Sequence, residues 1–520
     1  MNMKFWCTPS IITNYKNARM PKDGTAKMTI DAARNEIVSA QILLRSDCDF
    51  RVAGMQMANI RGDFDLDRVK ICAQQYLLFN DEVAYPDPIA NTIEVSVKQH
   101  ATQALWISFD IPENQPAGEY EIQVVIFTNV GEYRPYFTIH VYDVSIPPSE
   151  KGAFNMEYFL GLDEKSLFNE KGYDFEIFDE KWWAFLENYA RSLRECRINV
   201  LILPLINLLI AAGSKRTDKQ EWILDFTLMD KFIKFMLAHA GTKRIICSHL
   251  FSFQTTSIFS INEKGKITNI PVDDPDAVCW VNTLLKKLYL HLVENGWDKI
   301  WLMHLQDEPS NAESWQWMRE KVRENMPGIC CGDAIGKALD HKLDGYMDVY
   351  IPLFPLFEQD QAYFDKQRSL GKEIWAYCCC GPEDPWWLNK FIDLPHRYSR
   401  YIAWACFSQD ITGFLHYGYN FWYNKFSAFF GTAPDTRFKG DDSLIYPSPE
   451  DNGVRVSSRY IETRDGAQDF ELLKIVESKN PGKAKELSKA IARSFSDFNS
   501  DPELFMSIRR QLLEAASNVS

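Results

Sequence analysis

From residue 150 onward the chain alternates short apolar runs with amphipathic helical stripes, and this rhythm limits what it can fold into more than any other feature. Runs of strand character fall at residues 153–161, 199–205, 243–250, 299–306, 328–332, 347–354, 373–380 and 411–420. Short apolar runs bounded by turn residues suit strands buried on both faces. Helical stripes lie between most of them. Trp183, Leu186, Ala190 and Leu193 share one helical face, and Asp274-Pro275 supplies an N-cap followed by proline for a helix that stops at Gly296. Eight strands with intervening helices predict a parallel (β/α)8 TIM barrel, with a doubly wound sheet as the alternative.

Residues 1–147 have a different period. Leu105, Ile107, Phe109 and Ile111 alternate with Ala104, Trp106, Ser108 and Asp110, the pattern of a strand with one face inward. Tyr120, Ile122, Val124 and Ile126 repeat the pattern, as do Phe137, Ile139 and Val141. Regular strands separated by Pro and Gly turns predict an N-terminal β-sandwich, and Ile146-Pro-Pro148 marks a stiff linker. The expected organisation is a sandwich over 1–147, a barrel over 150–480 and C-terminal helices over 481–520. A helix over 457–479, bearing Arg459, Glu462, Arg464, Asp465 and Asp469, would close the barrel. The charges of the C-terminal helices read as a solvated face.

Within the barrel, the stretch Lys299 to Pro309 carries the strongest chemical signal. Ile300 to Gln306 form a buried strand that runs into two adjacent carboxylates, Asp307 and Glu308, before Pro309 stops it. Ser310-Asn-Ala-Glu313 is a capping-box pattern for a helix bearing Trp317, Met318 and Val322. The carboxylates therefore occupy a strand-to-helix turn, the carboxyl end of a parallel strand where active sites are built. Acidic residues at a helix start that complement the macrodipole are the alternative.

Other polar groups end predicted strands and so share this rim: Glu157, His249, Asp333, Tyr377, Glu383, Tyr417 and Trp422. Asp333, His249, Tyr377, Tyr417 and Trp422 are the substrate-binding candidates, although a Tyr or Trp there also serves packing and His249 also suits a hydrogen-bonded structural imidazole. Trp386-Trp387 could be a sugar platform or a hydrophobic plug. No HExxH, P-loop or GxGxxG pattern is present, so neither a metal nor a nucleotide cofactor is expected.

A net charge of −14 argues against nucleic acid or an anionic membrane as partner. Aromatic residues make up 14% of the chain, a supply that suits stacking on sugar rings. The longest apolar run, Val200 to Gly213, is interrupted by Pro204 and Asn207 and falls short of a bilayer span. The first residues lack an apolar signal region, and the 12 cysteines lack CxxC spacing. Cys330-Cys331 and Cys378-Cys379-Cys380 fall in predicted strands, where neighbours face opposite ways, so they read as reduced core thiols of a cytoplasmic protein. The oligomeric state is not legible.

Several segments, in order and nearly end to end, resemble glycoside hydrolase family 123, the β-N-acetylgalactosaminidase-like glycosidases. They are Ala33-Arg-Asn-Glu36 with Gln41, Tyr85-Pro-Asp-Pro88, Pro116-Ala-Gly-Glu-Tyr120, Gln306-Asp-Glu-Pro309, and Gly413 through Asn420. Gly440-Asp-Asp-Ser-Leu-Ile-Tyr-Pro447 and Arg464-Asp-Gly-Ala-Gln-Asp-Phe-Glu471 complete the set. The resemblance implies a sandwich, a catalytic barrel and an exo-acting retaining hydrolase of glycans that uses the substrate's 2-acetamido group. It maps the family's Asp-Glu pair onto Asp307 and Glu308. His416 and the triple cysteine depart from the family pattern. Two other readings stand beside it: a two-carboxylate glycosidase pairing Glu308 with Glu383, and a carbohydrate-binding barrel without catalysis.

Overall fold

A computed structural model describes residues 3–79, 81–162, 168–217, 221–252, 255–337, 341–422 and 438–518. The N-terminal part is a two-sheet sandwich. One sheet runs in the order Met3–Pro9, Glu36–Ser46, Thr102–Ile111, Val69–Leu78, Ala84–Ile89. The other runs Lys27–Arg34, Tyr136–Ser145, Gly118–Thr128, Phe50–Arg61, Val95–Val97, and Lys27–Arg34 is parallel to Tyr136–Ser145. Leu105, Ile107, Phe109 and Ile111 meet Ile122, Val124, Ile126, Phe137, Ile139 and Val141 in one core between the sheets. The other face of Thr102–Ile111 is buried too. Trp106 points away from the sandwich core into that of the barrel, 2% exposed, and its indole donates to Gln74 at 2.6 Å.

Eight parallel strands close the barrel: Asn155–Tyr158, Val200–Leu203, Arg244–Cys247, Trp301–Met303, Cys330–Ile335, Val349–Pro352, Glu373–Tyr377 and Gly413–His416. Each lies within or overlaps one of the eight runs read from the sequence. Its interior is filled by Val200, Ile246, Leu302, Ala334, Val349, Ile351, Trp375, Tyr377 and Leu415. Glycine is required where this interior is tightest. A Cβ on Gly413 would lie 2.5 Å from the Trp375 ring, and one on Gly332 would lie 2.4 Å from the Val349 carbonyl.

The helix Pro275–Asn295 starts on the Asp274 cap and ends at Gly296, whose φ of 72° is the left-handed stop expected of glycine. After strand four the helix is Ala312–Asn325, and its cap is Asn311, accepting from Glu313 N and Ser314 N, in place of the box built on Ser310. The helix Ser458–Glu477 is capped by Ser457. The charges of residues 481–517 lie largely on the expected solvated face, with Arg509 the buried exception, while the helix Ser458–Glu477 buries most of its own. Arg459, Arg464, Asp465, Asp469 and Arg509 are all buried, because these helices are wedged between sandwich and barrel. Arg459 binds Asp87 through Nε at 2.9 Å and Nη2 at 2.8 Å, while Asp469 accepts from Arg400 Nε at 2.6 Å and Arg509 Nε at 3.1 Å. Alternating charge marks a polar face. It does not say whether water or another domain covers it. Among the described residues no helix is long and apolar enough to cross a membrane.

Candidate active site

Strand four ends at Met303, and the chain then carries Asp307 and Glu308 to the carboxyl-end mouth of the barrel, with His304 and Gln306 buried behind them. Asp333, from the middle of strand five, fixes this exit. Its Oδ2 accepts from Leu305 N at 2.9 Å, Gln306 N at 3.2 Å and Trp315 Nε1 at 2.6 Å. With 0% exposure it presents no face to a substrate, which corrects the expectation that it binds one. Its carboxylate is consumed in shaping the turn that carries Asp307 and Glu308.

Asp333 Oδ1 faces His304 Nδ1 at 3.0 Å and His249 Nε2 at 3.2 Å, and His304 Nε2 faces Glu157 Oε1 at 2.6 Å. Burial alone would lower the pKa of His304, but the Glu157 and Asp333 carboxylates hold it well above the ordinary imidazole range. Burial would raise Asp333, yet the two imidazoles bring it down to about 2. The group is thus a buried imidazolium between two carboxylates. His249, His304 and Asp333 each bring a ligand-type atom within 4.8 Å of the others, a spacing a metal ion could use. His304 Nδ1 also lies 2.5 Å from the Gly332 carbonyl, which can only accept, so that nitrogen keeps its proton and has no lone pair for a metal. His249 stacks on His304 with centroids 5.1 Å apart and keeps 17% of its side chain exposed, so it remains available at the mouth.

Glu308 has φ of +40°, left-handed backbone that a side chain with a Cβ adopts only under constraint. The turn aims its carboxylate at strand seven, where the Tyr377 hydroxyl donates to Oε1. Burial, and then the Glu308 charge, raise the pKa of Tyr377 far above the ordinary phenol value, so it stays a proton donor. Gly336, at the exit of strand five, makes the room. A Cβ there would lie 2.9 Å from Glu308 Oε1 and 3.1 Å from the Tyr377 hydroxyl oxygen. Asp307 is half-buried beside this pair.

Tyr417 is half-buried, stacked between His416 and Phe421. Trp422 is not a platform. It is 1% exposed, its indole donates to the Ile445 carbonyl at 2.9 Å, and its ring stacks on Tyr173, so the expectation that it contacts substrate is corrected to packing. Trp386 is 59% exposed and Trp387 packs on the core. Glu383 is exposed beyond the cysteine run. That run departs from expectation as well: strand seven stops at Tyr377, so the alternation of faces stops there, and Cys380 is exposed. His304, Trp315 and Gly336 were not singled out from the sequence. A histidine inside an otherwise apolar strand was the available signal for the first; the other two act only through contacts across the barrel.

The sequence profile described as the glycoside hydrolase 123 catalytic domain matches residues 169–476, more than half of the chain. The chain belongs to glycoside hydrolase family 123. The profile of that family's N-terminal domain matches residues 66–128. Among solved structures, a family 123 glycoside hydrolase from Clostridium perfringens superposes with a TM-score of 0.80 at 15% identity, covering 99% of this chain and 98% of that one. Looser likenesses include a GH2 β-galacturonidase from Eisenbergiella tayi, with a TM-score of 0.34, 10% identity and coverage of 89% and 71%. No curated protein matches the chain. The enzyme is therefore a glycoside hydrolase, with the sandwich, closed barrel and terminal helices of its family.

Proposed function

We propose that the enzyme releases terminal β-linked N-acetylhexosamine, foremost β-N-acetylgalactosamine, with retention at the anomeric carbon and attack by the substrate's own 2-acetamido oxygen. The observation that carries this reading is the meeting of strands four and seven. Where a two-carboxylate enzyme needs a second carboxyl group about 5 Å from the first, the end of strand seven offers Glu308 a tyrosine hydroxyl. Glu383, the alternative nucleophile, lies in an exposed segment past the end of that strand.

Glu308 is the general acid and base. It protonates the leaving oxygen as the glycosidic bond breaks and deprotonates the water that opens the oxazolinium. Asp307, next to it on the same turn, works at the neighbouring substituent of the ring, accepting from the acetamido N–H and balancing the charge that grows on the attacking group. When Glu308 is protonated, Tyr377 can turn its hydroxyl to the acetamido oxygen and fix its approach. His249 and Tyr417 border the sugar. The Clostridium perfringens family member is described by its hydrolysis of glycolipid glycans, which makes a glycolipid one natural carrier for the sugar here.

The test is a panel of aryl β-GalNAc, β-GlcNAc, β-galactoside and β-glucoside substrates, with a thiazoline mimic of the oxazolinium as inhibitor. Hydrolysis confined to the acetamido sugars and thiazoline binding far tighter than that of the product are expected. Asp307→Asn should cut turnover by about 10²–10³, while Glu383→Gln leaves it nearly intact. The opposite ranking of these variants, with a glycosyl ester trapped on Glu383, would overturn the proposal.

A further inference from the structure

Two residues past Tyr377, the sulfurs of Cys379 and Cys380 lie 3.7 Å apart. Cys379 packs on the barrel-interior cluster that includes Tyr377, and Cys380 is exposed. Their segment is held. Asn389 Nδ2 donates to the Cys379 carbonyl at 3.0 Å and to the Pro382 carbonyl at 2.9 Å, so the two thiols keep their relative aim. We propose that Cys379 and Cys380 form a bidentate site for soft thiophiles, trivalent monoarsenicals foremost, on the wall of the barrel mouth.

The geometry favours a bridging atom over a disulfide. Consecutive Cα atoms are held about 3.8 Å apart across a trans peptide, below the usual disulfide range of roughly 4.4–6.8 Å, so a direct S–S bond would be strained. A single soft atom seated between the two sulfurs asks for no such closure. The thiol chemistry agrees. Hydrogen bonding from Cys379 holds the Cys380 thiol below its ordinary range, so Cys380 is the first nucleophile and Cys379 the second. With an arylarsine oxide, two S–H bonds and the arsenic–oxygen bond break, two As–S bonds form, and the oxygen leaves with both protons as water. Arsenic stays trivalent and no oxidant is needed.

Occupation would obstruct the mouth, a consequence that rests on the proposed sugar site beside Tyr377 and Glu308. Full-length enzyme would be treated with phenylarsine oxide and followed by intact mass and by hydrolysis of its best aryl glycoside. The expected result is one adduct that persists in excess monothiol and is removed by a dithiol such as dimercaptopropanol. Turnover should fall with it by about a hundredfold, the scale of a misplacement of 1 Å at a reacting centre. Cys380→Ser, a change at an exposed position, should keep basal turnover and lose both the stable adduct and the inhibition. An adduct that survives in Cys380→Ser, or that maps to Cys279 or to Cys330 with Cys331, overturns the site. A complete adduct with undiminished hydrolysis overturns its place at the mouth. If no glycoside is cleaved, the proposed function fails, while the mass measurement still decides the dithiol.

Discussion

Two clusters of buried charge, one between sandwich and barrel and one at the barrel mouth, use their carboxylates differently. Between sandwich and barrel, buried arginines pair with carboxylates: Arg459 with Asp87, Arg464 with Asp465, Arg400 and Arg509 with Asp469, and Arg509 also with Glu36. Remaining donors go to carbonyls, as when Arg459 Nη1 binds the Lys390 carbonyl at 2.9 Å and the Gly440 carbonyl at 2.7 Å. At the barrel mouth no arginine contacts Asp307 or Glu308 among the described residues. Asp333 and Glu157 instead pair with His304 behind the mouth, leaving Glu308 on a strained turn with a tyrosine as partner. Burial of charge alone therefore does not mark an active site. A carboxylate locked in a bidentate arginine pair cannot move a proton at working pH, whereas one held by a hydroxyl can.

The comparison breaks most visibly at Glu308. Glu308→Gln should lower turnover of substrates with poor leaving groups by about two to four orders of magnitude, and of aryl glycosides with good leaving groups by less. Equal losses across a leaving-group series would assign Glu308 another role. At the interface, Arg459→Ala should cost ~3–5 kcal/mol in urea unfolding, because it strands a buried Asp87, while the protein that remains folded turns over normally. An active-site defect with normal stability there would erase the distinction between the clusters.

Gly336→Ala sharpens it. The added methyl would press on the Glu308 carboxylate, so turnover should fall by about 10–100-fold with stability within about 1 kcal/mol of the parent.

The mouth cluster should also carry a pH signature. Asp333 titrates near 2 in the fold against an ordinary 3.8, so its contribution is present above that ordinary value and is lost as pH falls towards 2, about 2 kcal/mol in all. His304 is raised, so its contribution is complete below 6.5 and is lost as pH climbs through its higher folded value. Urea midpoints against pH should lose their acid-side slope in Asp333→Asn and their alkaline-side slope in His304→Gln. Unchanged slopes would mean that the cluster is not ionised as described. The smallest effect is outside both clusters: Asn311→Ala removes the cap of Ala312–Asn325 and should cost about 1 kcal/mol.

The segments that resemble family 123 in the sequence fall largely on the interface. Glu36, Asp87, Tyr446, Gln468 and Asp469 come from four of them, and each contacts a residue across the sandwich–barrel boundary or supports one that does. The resemblance was thus legible largely through groups that hold the domains together, with Asp307 and Glu308, the turn at residues 116–120 and the strand Gly413–His416 outside them. His304 was hidden because a strand's apolar pattern absorbs a single histidine. Gly336 was hidden because nothing local distinguishes a glycine that makes room for a distant carboxylate.

By itself the sequence determined the period of each half, the eight barrel strands and the position of two carboxylates at the end of the fourth, since strand periodicity and turn chemistry are local. Only the tertiary structure decided which polar groups face the mouth. It buried Asp333 and Trp422, set Tyr377 against Glu308 and turned Cys379 and Cys380 to the same side. Those outcomes depend on neighbouring strands in the closed barrel and on where strand seven ends, and local sequence carries little of that information.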